Sequence, residues 1–296
     1  MCTTFSFSRN NDVVLGRTMD LPKTHKYSFM YFPKNCHFDS DVLGNKLYTK
    51  YKIMGTTFEG YEHLLDGINE TGLLGCTNSF RNVMSFPKII KKEKLNITST
   101  KLLNFFLTNC KSLEEIKKLS KEVFIVEKSS VDDKNFSRHY HYMFTDKYNK
   151  SLILEIDNGE IKVKENPYNI MTNSPKFETH IKNLHKYLEK KELKGNMITP
   201  TKRFLRAFDE LNEINKIDED ISNLKLMLKI LKKFTISEEM FEKELLKLPS
   251  ITLYYSAITQ KDKKYYLNYV NSNYINEFSF NDFKNFETKQ ILKLKK

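Results

Sequence analysis

The feature that most narrows the fold is the order in which two hydrophobic periods succeed one another along the chain. TTFSFS alternates polar and apolar residues, the turn-prone SRNND follows, and DVVLGRTMD resumes the extended pattern, so the first twenty residues read as a β-hairpin. KYSFMYF, KLYTKYKIMGTTF and TGLLGCTNSF continue as strands. Near position 100 the period becomes helical in STKLLNFFLTNC and in SLEEIKKLSKEV, where Ser112 and Glu115 stand at capping-box spacing. HYHYMFTD and SLILEIDNGEIKV return to strand, with a turn at Asp157 to Gly159. Helices are predicted from Lys176 to Lys247 in FETHIKNLHKYLEKKEL, in TKRFLRAFDELNEI behind a Thr199-Pro200 start, in DISNLKLMLKILKKF and in SEEMFEKELLKL. ITLYYSAIT and KKYYLNYV close the chain as a strand pair. Strands and helices in such blocks imply sheets covered by helices, an α+β architecture, instead of a repeating βαβ unit.

Composition bounds what this architecture can do. With 296 residues, 40% of them hydrophobic, and no low-complexity linker, one domain spanning 1–296 is expected. No run of about 20 apolar residues occurs, which excludes a spanning helix. The N-terminus lacks a basic segment followed by an apolar one, so no secretory leader and a cytoplasmic location are expected. Cys2, Cys36, Cys76 and Cys110 form no C-x-x-C pair and are read as reduced thiols. The formal charge of +12 comes from lysines interleaved with apolar residues, as in KIIKKEKL and LKILKKF, which read as solvated faces; no nucleic-acid partner is expected. Only six of the 49 basic residues are arginine (Arg9, Arg17, Arg81, Arg138, Arg203 and Arg206), so each is a candidate for a task that needs a permanent planar charge.

Several chemistries find no support. There is no glycine-rich phosphate loop, no G-x-S-x-G elbow and no H-E-x-x-H, and nine glycines in all leave little for a nucleotide cradle. No cofactor is expected. His139 and His141 fall on one face of a strand, yet no further ligand stands at suitable spacing, so no metal is expected either. Cys2 remains. Loss of Met1 would leave one residue carrying a thiol and an α-amine, and an amine of reference pKa about 7.7–8.0 can take the thiol proton without a histidine. The alternative is an early cysteine that is a small buried hydrophobe. Arg17 and Asp20, on or just after the returning strand of the hairpin, could favour the thiolate and hold the amine.

At this point the sequence resembles the choloylglycine hydrolase family, cysteine N-terminal-nucleophile amidases that include bile salt hydrolases and penicillin V acylases. The resemblance runs through MCT, GRTMD, DGINETGLLG at 66–75, MTNSP at 171–175, TPTKRFLRAF at 199–208, and ITLYYSA followed by KKYYLNYV, in family order over almost the whole chain. It implies a four-layer α/β/β/α sandwich and hydrolysis of a linear amide in a small N-acyl substrate through a Cys2 thioester, with Met1 removed in the active form. It also implies that Asp20 bonds to the α-amine, that Arg17 and Arg203 lie beside the sulfur and amine, and that Asn173 points its NH₂ at the oxyanion. A further polar residue follows the GLLG run: gapless alignment gives Ser79, a one-residue shift gives Asn78, and Asn78 is preferred because its amide can donate. Phenoxyacetyl-type amides rank first among substrates, conjugated bile salts second and acyl-homoserine lactones third. A silent acyl-ligand-binding relative, or a basic nucleic-acid-binding protein with a coincidental Cys2, is the alternative from another class. Family members carry a longer excursion between the positions of Asn173 and Arg203, with a projecting loop used in tetramer assembly; its shortness here implies a homodimer or monomer.

Overall fold

The computed structural model describes residues 2–127, 138–190, 197–217, 221–240 and 250–296. From the N-terminus come β1 (Thr4–Arg9), β2 (Asp12–Leu21), β3 (Tyr27–Phe32), the small pair β4 (His37–Ser40) and β5 (Lys46–Tyr48), then β6 (Ile53–Phe58), β7 (Leu64–Asn69) and β8 (Leu74–Ser79). β9 (Leu95–Ile97), α1 (Leu102–Asn109), α2 (Leu113–Leu119) and β10 (Val123–Ile125) lead to β11 (Tyr140–Thr145), β12 (Ser151–Asp157), β13 (Glu160–Glu165) and β14 (Ile170–Met171). α3 (Phe177–Lys190), α4 (Pro200–Glu213) and α5 (Asn223–Lys232) precede β15 (Ile251–Thr259), β16 (Lys264–Tyr269), β17 (Ile275–Ser279) and β18 (Gln290–Lys293).

Local chemistry sets the turns and caps. Arg9 pairs with Asp12 across Asn10 and Asn11, which take φ of 52° and 56°, the left-handed pair that a two-residue hairpin requires and asparagine tolerates. Ser112 caps α2 by accepting from the Glu115 N–H at 3.3 Å, but the Glu115 carboxylate turns to the Lys111 N–H, so only half of the capping box forms. Thr199 caps α4 with Pro200 in its first turn. The last predicted helix, SEEMFEKELLKL, shows a short 3₁₀ turn at Glu238–Met240 and otherwise lies outside the described residues. β7, β17 and β18 were not foreseen: LLDGIN is buried on both faces and shows no alternation, and the last two are short strands at the C-terminus.

Two antiparallel sheets carry the fold. One has the order β14-β1-β2-β15-β16-β17 and the other β13-β12-β11-β8-β7-β6-β3-β18. α5 packs on β2 and β15 and α4 on β14, while α1 covers β6, β7 and β8, giving the expected α/β/β/α layering. Because both faces of the second sheet are covered, neighbouring residues split between two cores. Phe29, Tyr31 and Met143 join the first sheet's core, whereas Met30, Phe32 and Phe144 pack under α1 with Leu103 and Phe106. Each such fully buried side chain contributes about 1.5–3 kcal/mol, and this explains why the strands read as unbroken apolar runs.

Candidate active site

The residues ahead of β1 are laid down by β2. The Thr18 N–H donates to the Thr3 carbonyl at 2.9 Å and the Thr3 N–H to Thr18 Oγ1 at 3.1 Å, which fixes Cys2 at the edge of the first sheet. The strand period then sends alternate β2 side chains to opposite sides. Arg17 faces the second sheet, with Nη2 at 3.6 Å from Cys2 Sγ and Nη1 donating to the Leu65 carbonyl at 2.7 Å and to Asp66 Oδ2 at 3.3 Å. Burial works against the Arg17 charge, but Asp66 and Cys2 outweigh it and hold the guanidinium firmly protonated. Asp66 receives Thr56 and Tyr265 on Oδ1 and Ser256 on Oδ2, so the partner of Arg17 is itself fixed from both sheets.

Asp20 points the other way, toward α4. It accepts from Thr18 at 3.0 Å and Thr252 at 2.7 Å, and its Oδ2 stands 3.9 Å from Arg203 Nη1. Burial raises its carboxyl above the ordinary range, against the pull of Arg203 and the two hydroxyls. Arg203, 1% exposed, donates from Nη1 to the Cys2 carbonyl and to Thr3 Oγ1, from Nη2 to Asn173 Oδ1 at 2.8 Å, and from Nε to the Ile198 carbonyl. It therefore grips the main chain of Cys2, while Arg17 is the arginine hydrogen-bonded to the sulfur.

Asn173 joins these groups. Its Oδ1 accepts from the Cys2 nitrogen at 2.6 Å and from Arg203, and its Nδ2 donates to the Ser79 carbonyl at 2.9 Å. Exchanging the two amide atoms would set N–H against two donors, so the network fixes the assignment. The NH₂ expected to face an oxyanion is thus occupied by Ser79, and Asn173 clamps the Cys2 nitrogen. Asn78 requires a correction. Its Nδ2 donates to the Met171 carbonyl and its Oδ1 accepts from Thr4, so it fastens β8 to β14 and β1, while Thr77 and Ser79 line the pocket. The period of two along β8 selects Ser79 over its neighbour.

The pocket holds about 330 Å³ with Cys2 and Arg17 in its wall. Its lining mixes apolar residues, Met19, Leu21, Phe58 and Leu65, with polar ones, Ser79, Arg81, Arg138 and His139. The Arg138 guanidinium lies 5.3 Å from the Phe58 ring centroid, and His139 stacks on Phe86 at 5.3 Å. His139 and His141 part company: His141 is buried and bonds to the Thr172 carbonyl. Among the described residues no group of three or more His, Cys, Asp or Glu side chains could hold a metal. Sequence reasoning missed Asp66, Arg81 and Arg138 as site residues. The scarcity of arginine was the available signal for the last two, since Arg9 and Arg206 are accounted for by backbone carbonyls they bind.

Known proteins resemble the chain in sequence and in fold. The family model described as linear amide C-N hydrolases, choloylglycine hydrolase family, matches residues 2–292. A bile salt hydrolase/transferase of Clostridium perfringens (strain 13 / Type A) is 32% identical over 192 residues, 64% of this chain, and the match spans 58% of that relative's own length. The fold is that of a conjugated bile acid hydrolase variant from Clostridium perfringens, with a TM-score of 0.87 at 24% identity over 100% of this chain and 98% of the other. A penicillin V acylase from Agrobacterium tumefaciens superposes with a TM-score of 0.81 at 19% identity, over 100% and 92% of the two chains.

Proposed function

Because the chain belongs to the choloylglycine hydrolase family of linear amide C-N hydrolases, we propose that it cleaves the amide of a small N-acyl substrate through a thioester on Cys2. The observation that carries this reading is the placement of Cys2: Sγ beside Arg17 Nη2 in a pocket wall, and its nitrogen held by Asn173 Oδ1 at 2.6 Å. Release of whatever precedes Cys2 converts that nitrogen from an amide into an α-amine. The free amine takes the thiol proton, Arg17 favours the thiolate, and sulfur adds to the substrate carbonyl. Collapse of the tetrahedral species transfers the proton to the leaving amine, and water then cleaves the thioester with the same amine as base. Asn173 and Arg203 keep the nitrogen and carbonyl of Cys2 in register throughout. An oxyanion role for Asn173 requires Nδ2 to turn from the Ser79 carbonyl toward the substrate. No cofactor enters the scheme.

The residue types of the lining match the two parts of such a substrate. Met19, Leu21, Phe58 and Leu65 suit an aryl or alkyl acyl group, and Arg81 and Arg138 suit an anionic group on the leaving amine. A volume of about 330 Å³ is at the small end for ligand sites and favours a phenoxyacetyl-sized acyl group. Conjugated bile salts are the second reading, supported by the 32% identity to a bile salt hydrolase/transferase. We further assign the chain to one domain working in a reducing, cytoplasmic setting as a homodimer or monomer, which light scattering at low and physiological salt tests; a persistent tetramer contradicts it. The central experiment is intact mass after exposure to a phenoxyacetyl thiol-reactive ester, with turnover of phenoxyacetyl and steroid glycine amides in parallel. Acylation of a form beginning at Cys2 is expected. Full turnover by protein that retains Met1 overturns the mechanism.

A further inference from the structure

β14 pairs with β1 only through Ile170 and Met171, so the chain runs out of strand partners as it reaches Thr172 and Asn173. Two imidazoles take over. His141 from β11 places Nε2 at 2.6 Å from the Thr172 carbonyl, and His180 from α3 places Nε2 at 2.9 Å from the Asn173 carbonyl. A carbonyl can only accept, so both rings carry their hydrogen on Nε2. In both rings Nδ1 is buried without a partner.

We infer that His141 and His180 are positioning residues that grip consecutive carbonyls on either side of the Thr172–Asn173 link and so fix the point from which Asn173 reaches the Cys2 nitrogen. This rests on Cys2 being the nucleophile. Packing alone does not call for histidine here. His141 stacks on Phe80 at 4.5 Å and 14°, and His180 on Phe204 at 5.1 Å and 8°, contacts that phenylalanine would make without leaving a buried nitrogen unsatisfied. What histidine adds is the N–H. Burial keeps both rings neutral, His141 pushed down to about 3 and His180 to about 4, so the grip does not change with charge near neutrality. The neighbour of Phe204 on α4 is Arg203, which shares Asn173 Oδ1 with the Cys2 nitrogen, so His180 also ties α3 to the helix that carries the second clamp.

The test compares His141→Phe and His180→Phe, which keep the ring stack and delete the donor, with His141→Gln and His180→Gln, which keep an N–H. His185→Phe, on the exposed side of α3, is the control. Each phenylalanine variant is expected to lower kcat by about 10- to 100-fold, the scale of a displacement near 1 Å, with KM within about 2-fold. Iodoacetamide labelling of Cys2 should slow in the same proteins, and glutamine should recover part of both losses. Wild-type kcat in folded phenylalanine variants overturns the proposal, as does an equal loss in glutamine and phenylalanine variants with equally lowered melting temperatures. Should a phenylalanine variant fail to fold, ¹⁵N spectra of the wild type decide: two neutral Nε2–H tautomers at pH 7 are expected, and an Nδ1–H tautomer at either ring refutes the geometry. A wild type that is never acylated at Cys2 would instead defeat the reading of the site while leaving those tautomers as found.

Discussion

Four of the six arginines bear on Cys2 or on the pocket it lines, and they do different work there. Arg17 faces the sulfur, Arg203 holds the Cys2 carbonyl, and Arg81 and Arg138 line the pocket that Cys2 enters. Replacing Arg138 by lysine keeps a charge but removes the planar face laid over Phe58. KM for amides with an anionic leaving group is expected to rise about tenfold, with kcat nearly unchanged, in steady-state assays; an equal effect on a neutral-amine substrate would contradict the role assigned to Arg138. Asn78 and Ser79 separate in the same way. Asn78→Ala strips three hydrogen bonds that join the two sheets and is expected to cost about 1–3 kcal/mol in denaturant titration. Ser79→Ala should leave stability within about 0.5 kcal/mol and alter KM. Cys2, Arg17, Asp20, Asn173 and Arg203 were legible because motif order carries them. The choice between residues 78 and 79 was not, because it depends on the phase of β8 against β11, which only pairing sets.

At the scale of elements, period and caps located most strands and all five α-helices of the described residues, since amphipathic stripes and Thr or Ser caps are written locally. The layers were harder to read where glycine makes them possible. A Cβ on Gly55 of β6 would lie 1.9 Å from the Asp66 carbonyl oxygen of β7, a backbone atom that cannot step aside without breaking the ladder. On Gly16 of β2 it would lie 2.2 Å from Met227 Sδ on α5, a flexible side chain that can swing away. Gly55→Ala is therefore expected to destabilise by about 3 kcal/mol or more and to reduce turnover, because Asp66 holds Arg17. Gly16→Ala should cost about 1–2 kcal/mol with kcat preserved. Urea melts of both variants check the ranking, and equal losses would show that the β6–β7 contact yields as easily as a methionine.

For the molecule as a whole, the burial of two neutral histidines makes stability depend on pH in a definite direction. An unfolded histidine titrates near 6.5, whereas His180 and His141 are pushed by burial to about 4 and about 3, against the opposing pull of the carbonyls they bind. Between those limits the unfolded chain binds more protons than the folded one, so stability falls as pH falls from about 6.5 toward 4, by about 1.4 kcal/mol per pH unit for each ring. Asp20 acts with the opposite sign, because burial raises its carboxyl and protonation is easier in the folded state. Asp39, half-buried and paired with His63 and Lys101, and Glu160, bonded by Lys91 and Lys94, are held below the ordinary carboxylate range. Their stabilisation is complete above about pH 4.5 and is lost only below it, so they do not mask the histidine window. Melting temperature is expected to be level above pH 7, to begin falling near 6.5 and to steepen toward 4.5. His180→Phe should flatten that dependence in scanning calorimetry, since it deletes one of the two proton sinks of the unfolded state without disturbing the ring stack on Phe204. A His141→Phe/His180→Phe double variant with the same pH dependence of melting temperature as the wild type from pH 7 to 5 would show that the two imidazoles take up no extra protons on unfolding, against their enclosure at 2% and 1% exposure.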